Sequence, residues 1–212
     1  RIVRRFNFRL VLMMGIPLLS ISQVLATLSE SAYTFAGILM LGGAAIAVIE
    51  VAVNLEADRV EAHIGHRIMN RSHAYWSFGF FGAGIVGAGF SQLGISPFSH
   101  FALITVLSSV LTILLFAKYD AAKARRQSVA EKNKGFVWPS QGIFLLVFFS
   151  LSAMLVEGAS IDWSVIFMRD IFNTVPIVSG LSLALAAIAQ GIIRYFADQF
   201  VDKYGPQRVS IY

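Results

Sequence analysis

Residues 33–55 read YTFAGILMLGGAAIAVIEVAVNL, an apolar run with no lysine or arginine and a single acid, Glu50. About 20 such residues let a helix cross a ~30 Å hydrocarbon core. Lipid offers backbone N–H and C=O groups no partner, so a span must be a helix or part of a closed barrel. Barrel strands alternate polar and apolar residues, and this run does not, so it reads as a membrane helix. Five other stretches share its character: 10–28, 74–93, 97–117, 139–156 and 174–193. Hydrophobic residues make up 57% of the chain and charged residues 14%, against about 25% charged in soluble domains. The expected fold class is all-α, a polytopic membrane protein with six transmembrane helices.

The gaps between these stretches alternate in charge. Sixteen of the 17 lysines and arginines lie in or beside every second gap. They are Arg1, Arg4, Arg5 and Arg9; Arg59, Arg67 and Arg71; Lys118, Lys123, Arg125, Arg126, Lys132 and Lys134; and Arg194, Lys203 and Arg208. The remaining gaps hold only Arg169, beside Asp170 and near Asp162, where a local ion pair is expected. Basic loops close to a span are retained in the cytoplasm. Both ends of the chain are therefore expected in the cytoplasm, as befits a multi-pass protein of a bacterial inner membrane.

The net charge of +5 then belongs to loops facing anionic headgroups. Membrane lipid, not nucleic acid, is the expected partner. No cysteine is present, which leaves no disulfide framework or thiolate metal site. His63, His66 and His73 lack a completing carboxylate or thiolate and read as loop histidines, so no metal and no cofactor are expected. No nucleotide-binding loop, nucleophile elbow or metalloprotease motif occurs, so the chain does not read as an enzyme.

Local signals place the turns. Ser29-Glu30-Ser31 caps the second span, and Ser96-Pro97 and Thr174-Pro176 open the fourth and sixth with proline early in the helix. Pro17 should kink the first span. The third span is rich in small residues: Gly79, Ala83, Gly87 and Ser91 form one face, Gly84 and Ala88 a second. Such faces let helices approach closely in lipid. The segment 118–138 carries all six basic residues of one gap, has little apolar periodicity and reads as a linker. It divides the chain into 1–117, with four spans, and 139–212, with two spans and a loop. The last basic stretch ends where another span is expected, so the chain reads as an internal segment of a longer protein.

RIVRRFNFRLV at 1–11 and QFVDKYGPQRV at 199–209 align weakly, pairing Val3 with Val201, Arg5 with Lys203, Phe6 with Tyr204 and Val11 with Val209. Six spans lie between them, as in parallel-repeat transporters. DQFVDKYGPQR at 198–208 resembles the Gly-x-x-x-Asp-Arg-x-Gly-Arg-Arg loop signature of the major facilitator superfamily, with Asp202, Lys203 and Gly205 at matching positions. Asp198 replaces the first glycine, and the final basic pair is reduced to Arg208. HRIMNRSHAYWSFGFFGAG at 66–84 and VEGASIDWSVIFMRD at 156–170 look similar to the YbjJ-type, fucose-permease-like branch. The resemblance implies helices three to eight of a twelve-helix fold, the other helices being supplied by the full-length chain. It also implies a secondary transporter of a small polar or amphipathic solute, sugar-like on this likeness, with Asp198, Asp202, Lys203, Gly205 and Arg208 in a cytoplasmic gating loop. The third span lacks the Gly-Pro pair and the second lacks the intramembrane arginine of many drug antiporters, which speaks against an efflux antiporter. A non-transporting sensor or scaffold is the rival of another class.

Glu50 is the sharpest polar signal. A charge at that depth costs about 2.5–3.5 kcal/mol or more unless it faces a cavity or a partner. Asn54 and Asp58 follow at four-residue intervals on the same face. That face is expected to line a substrate and proton pathway, with Glu50 as proton carrier or hydrogen-bond acceptor; a packing contact between helices is the other reading. Glu157 and Asp162 are expected at the outer end of the fifth span, facing the mouth of the pathway if the helix runs on past Val156; a solvated outer loop is the other reading. Gln190 is expected in the cavity, and Arg194 is expected to snorkel to the cytoplasmic interface. The implied partners are a small-molecule substrate and protons.

Overall fold

The computed structural model describes residues 7–122 and 138–209. Arg1, Arg4, Arg5 and most of the linker, from Lys123 through Lys134, lie outside the described residues. Six long helices and one short one follow in order: α1 Phe8–Ala26, α2 Ala32–Ile64, α3 Met69–Gln92, α4 Pro97–Phe116, α5 Gln141–Phe172, α6 Pro176–Tyr204 and α7 Pro206–Val209. No strand occurs among the described residues. Five helices, α1, α2, α4, α5 and α6, are long and apolar enough to cross a membrane. α3 falls outside that set, since its polar start and dense glycines dilute its hydropathy.

The caps follow the local chemistry. Ser31 and Thr34 form a reciprocal capping box at the start of α2, which satisfies N–H groups that have no partner inside the helix. Ser96 accepts from the Ser99 N–H ahead of Pro97. Pro17 sits inside α1 without ending it.

Three helices outrun the expected spans. α2 continues through Ile64, because nothing after Leu55 breaks it until Gly65, whose φ of 75° stops the helix. α5 continues well past Val156 to Phe172, and Asn173 (φ 52°) ends it. α6 runs to Tyr204, where Gly205 (φ 83°) turns the chain. The stretch 157–170 is therefore helix, not an outer loop. A hydropathy reading ends a span at the first charges, but in these three helices the backbone stops where a residue takes up the left-handed conformation.

The described helices fall into two compact units. One holds α1, α2, α4 and the segment from Asp198 on; the other holds α3 from His73, α5, and α6 up to Ala197. In the first, α1 packs against both α2 and α4. A Cβ on Gly42 would stand 2.6 Å from Ser22 Oγ, and Ser20 Oγ lies 3.1 Å from Ser108 Oγ across α1 and α4. In the second unit α3 and α6 meet through small residues. A Cβ on Gly180 would overlap that of Ala88, and one on Gly191 would stand 2.5 Å from the Phe78 ring. Of the two small-residue faces of α3, the Gly84–Ala88 face makes this contact, whereas a Cβ on Gly79 would meet nothing within 4 Å.

This contrast sets the sign of two otherwise identical changes. Alanine improves an unconstrained helix by about 0.8–1 kcal/mol over glycine, while overpacking costs about 1–3 kcal/mol. Gly180→Ala should lower the thermal unfolding temperature of the detergent-purified full-length protein, and Gly79→Ala should hold or raise it. Equal shifts would contradict the seam.

Candidate functional site

The second unit gathers a polar network between apolar helices. Arg194 of α6 donates through Nη2 to both Glu157 oxygens on α5, at 3.1 and 3.2 Å. Its Nη1 reaches Ser77 Oγ of α3 at 3.4 Å. Ser77 donates to Gln190 Oε1 at 3.0 Å, and Ser77 is 1% exposed. Three helices thus converge on one group of hydrogen bonds. Glu157 lies near the middle of the 32-residue α5, which runs on past the apolar run 139–156. Arg194 forms an ion pair with it, both partners about a quarter exposed, 26% and 28%. Arg194 and Gln190 occupy successive turns of α6 because they stand four residues apart. The close approach of α6 to α3 at Gly191 brings both within reach of Ser77. Asp162 sits farther along α5, exposed. Arg169 and Asp170 form the expected local pair, 2.7 Å apart.

In the first unit, Glu50 and Asn54 lie on an exposed side of α2, with Asp58 partly buried two turns on from Glu50. The acid that α2 buries is Glu56, only 4% exposed. It pairs with Arg59 at 3.3 Å and accepts from the Tyr119 hydroxyl at 3.1 Å and from the Ala122 N–H. Burial, reinforced by the Glu56 carboxylate, pushes the Tyr119 phenol above its ordinary range. Glu56 thereby ties the chain leaving α4 to α2.

The signature-like loop is built around helix ends. Asp198, 3% exposed, accepts from Asn70 Nδ2 at 2.8 Å and from the Arg71 N–H at 3.2 Å. Glu61 accepts from the Ile68 and Met69 N–H groups. Two carboxylates therefore serve the N-terminal turn of α3, where free N–H groups and the helix dipole favour negative charge. Asp202 faces Arg67 at 3.5 Å, and the Lys203 ammonium sits 5.1 Å from the Tyr204 ring centre. Gly205 takes the positive φ that separates α6 from α7, and Arg208 is exposed on that short helix.

Sequence reasoning singled out Glu157, Gln190 and Asp198 but missed Ser77, Glu56 and Glu61 and gave Arg194 another role. For Ser77 a signal existed: a hydroxyl within an aromatic and glycine run. For Glu56 the sequence offers only Arg59, three residues on, since its partners Tyr119 and Ala122 lie more than sixty residues away.

The architecture is that of an all-helical, membrane-embedded, multi-pass protein with an internal ion pair. An uncharacterized MFS-type transporter of Yersinia pestis is 30% identical over 213 residues, which cover 98% of this chain and 53% of that protein. An uncharacterized transporter of Sinorhizobium fredii is 29% identical over 204 residues, 95% of this chain and 53% of that protein. The chain spans about half the length of these relatives. No family model matches the chain, and no solved structure does.

Two measurements probe these contacts. In a double-mutant cycle on the full-length protein, Glu157→Gln and Arg194→Gln should show a coupling on the order of 1 kcal/mol; additive losses would mean that the pair contributes nothing. The raised Tyr119 pKa lies above its unfolded value. Its contribution to stability is therefore complete below about pH 10 and is lost as pH rises through the folded value. Tyr119→Phe should flatten the decline of stability above that pH, and an unchanged decline would contradict the Glu56 contact.

Proposed function

We propose that the chain is the central part of a major facilitator superfamily transporter that moves a small solute by alternating access, coupled to protons. The observation that carries this reading is the Glu157–Arg194 pair with Ser77 and Gln190, held within long apolar helices. Ionisable groups in such helices are costly and rare, and they mark substrate or proton pathways. The similarity to two proteins named as transporters supports the same reading.

In this account α1 to α6 are six spans, α3 included, corresponding to helices three to eight of twelve. Residues 1–117 belong to one bundle and 139–212 to the other, joined by the linker 118–138, with both ends of the segment in the cytoplasm of a bacterial cell and the spans in its inner membrane. Glu157, Gln190 and Asp162 belong to the substrate and proton pathway. Glu50 and Asn54 contribute the exposed face of α2, where Glu50 accepts hydrogen bonds or carries a proton. Asp198, Asp202, Lys203, Gly205 and Arg208 form the gating loop. The Asp198 carboxylate at the start of α3 is a contact that helix movement can make or break. The YbjJ-type, fucose-permease-like branch is the proposed placement within the superfamily.

The test is uptake of radiolabelled solutes into proteoliposomes holding the full-length protein, with internal pH followed at the same time. A transported solute should bring protons with it, and Glu50→Gln should reduce that uptake at least tenfold. Unchanged coupling in Glu50→Gln would remove Glu50 from the pathway, and no uptake of any solute would contradict transport.

A further inference from the structure

Arg194 has more donors than its partners use. A guanidinium carries five N–H donors in a planar fork, and a carboxylate fits that fork best through two parallel bonds to two nitrogens. Glu157 instead straddles the single nitrogen Nη2, and the Nη1 contact with Ser77 is long at 3.4 Å. Among the described residues Nε makes no hydrogen bond. Within this chain both side chains are about a quarter exposed. The geometry points to Arg194 as the anchor for a solute that bears a carboxylate. The incoming carboxylate takes the fork, and Glu157 accepts one proton as it leaves. This rests on the transporter reading above and adds the substrate class and the origin of coupling.

Charge balance links the two events. The resting pair holds one positive and one negative charge. A carboxylate arriving alone would leave one uncompensated negative charge among apolar helices, which is strongly unfavourable. Proton transfer from water to a Glu157 oxygen restores neutrality: two N–H···O contacts to Glu157 are exchanged for contacts to the solute, one O–H bond forms, and nothing is oxidised or reduced. A neutral solute would need no proton, and a cation would meet Arg194 unfavourably. Arg194 on α6 is the charged group bonded to Glu157. α3 brings Ser77 and, one turn before it, His73, whose carbonyl accepts from Ser77 at 3.3 Å. α5 itself adds Asp162.

The test uses the full-length protein in proteoliposomes under an inside-alkaline pH gradient, with no membrane potential. The labelled probes are lactate, gluconate and benzoate, their uncharged counterparts glycerol, glucitol and benzamide, and the cation ethanolamine. Accumulation of a carboxylate beyond that in protein-free liposomes, which protonated benzoic and lactic acids enter unaided, is the expected result, with its apparent affinity falling about tenfold for each unit rise in pH as one proton is required. His73→Gln should retain that dependence. Glu157→Gln should exchange the carboxylate across the membrane but no longer accumulate it, and Arg194→Lys should weaken its binding at least tenfold. Accumulation by Glu157→Gln equal to wild type would overturn the proposal. So would transport of glucitol, glycerol, benzamide or ethanolamine in place of the carboxylates, which would leave the transporter reading standing. Movement of none of the probes would contradict both.

Discussion

A charged side chain within a long apolar helix needs a partner or water, because hydrocarbon supplies neither. In the second unit this requirement joins three helices. Glu157 comes from α5, Arg194 from α6 and Ser77 from α3, so their hydrogen bonds fix how these helices stand against one another. The small residues permit the contact. Gly191 lets the Phe78 ring lie against α6, and Gly180 does the same for Ala88. Without those glycines α6 would stand off from α3, and Arg194 and Gln190 would lose Ser77. Close packing and internal charge are therefore one design, in which backbone proximity makes the polar network possible.

The chain's class and most of its spans were legible because they depend on local properties. Continuous apolar runs, the Ser31 and Ser96 caps and the turns at Pro97 and Pro176 are each set by a few neighbouring residues. Partners were not legible. Arg194 looks like a residue near the end of a span, and only the approach of α5, thirty-seven residues earlier in the chain, supplies Glu157. The charges after Val156 looked like the end of a helix, yet the stretch contains no residue in a left-handed conformation until Asn173. Glu50 drew attention because it interrupts an apolar run, whereas Glu56, at the edge of that run, is the acid that is buried and bonded. Hydropathy locates a costly group but says nothing about which groups relieve the cost.

The loop after α6 follows the same logic at a helix end. Asp198 and Glu61 both accept from backbone N–H groups at the start of α3. Such a contact is favourable while the helix terminus stays in place. In an alternating-access cycle, contacts of this kind hold one state and are lost in the other. Gly205 supplies the turn that sets Asp198 and Asp202 before it and Arg208 after it, which is why a signature with glycine at that position suits the loop.

The central claim is that Glu157 and Gln190 border an aqueous path, while the outer surface of α5 faces lipid. Single cysteines placed in the full-length protein test it, and this segment contributes no cysteine of its own. Glu157→Cys and Gln190→Cys should react with a membrane-impermeant thiol reagent, and Phe148→Cys, at an exposed apolar position of α5, should not. If all three were equally unreactive while a loop cysteine at Leu93 was labelled, the polar network would be a sealed packing contact, contrary to the account.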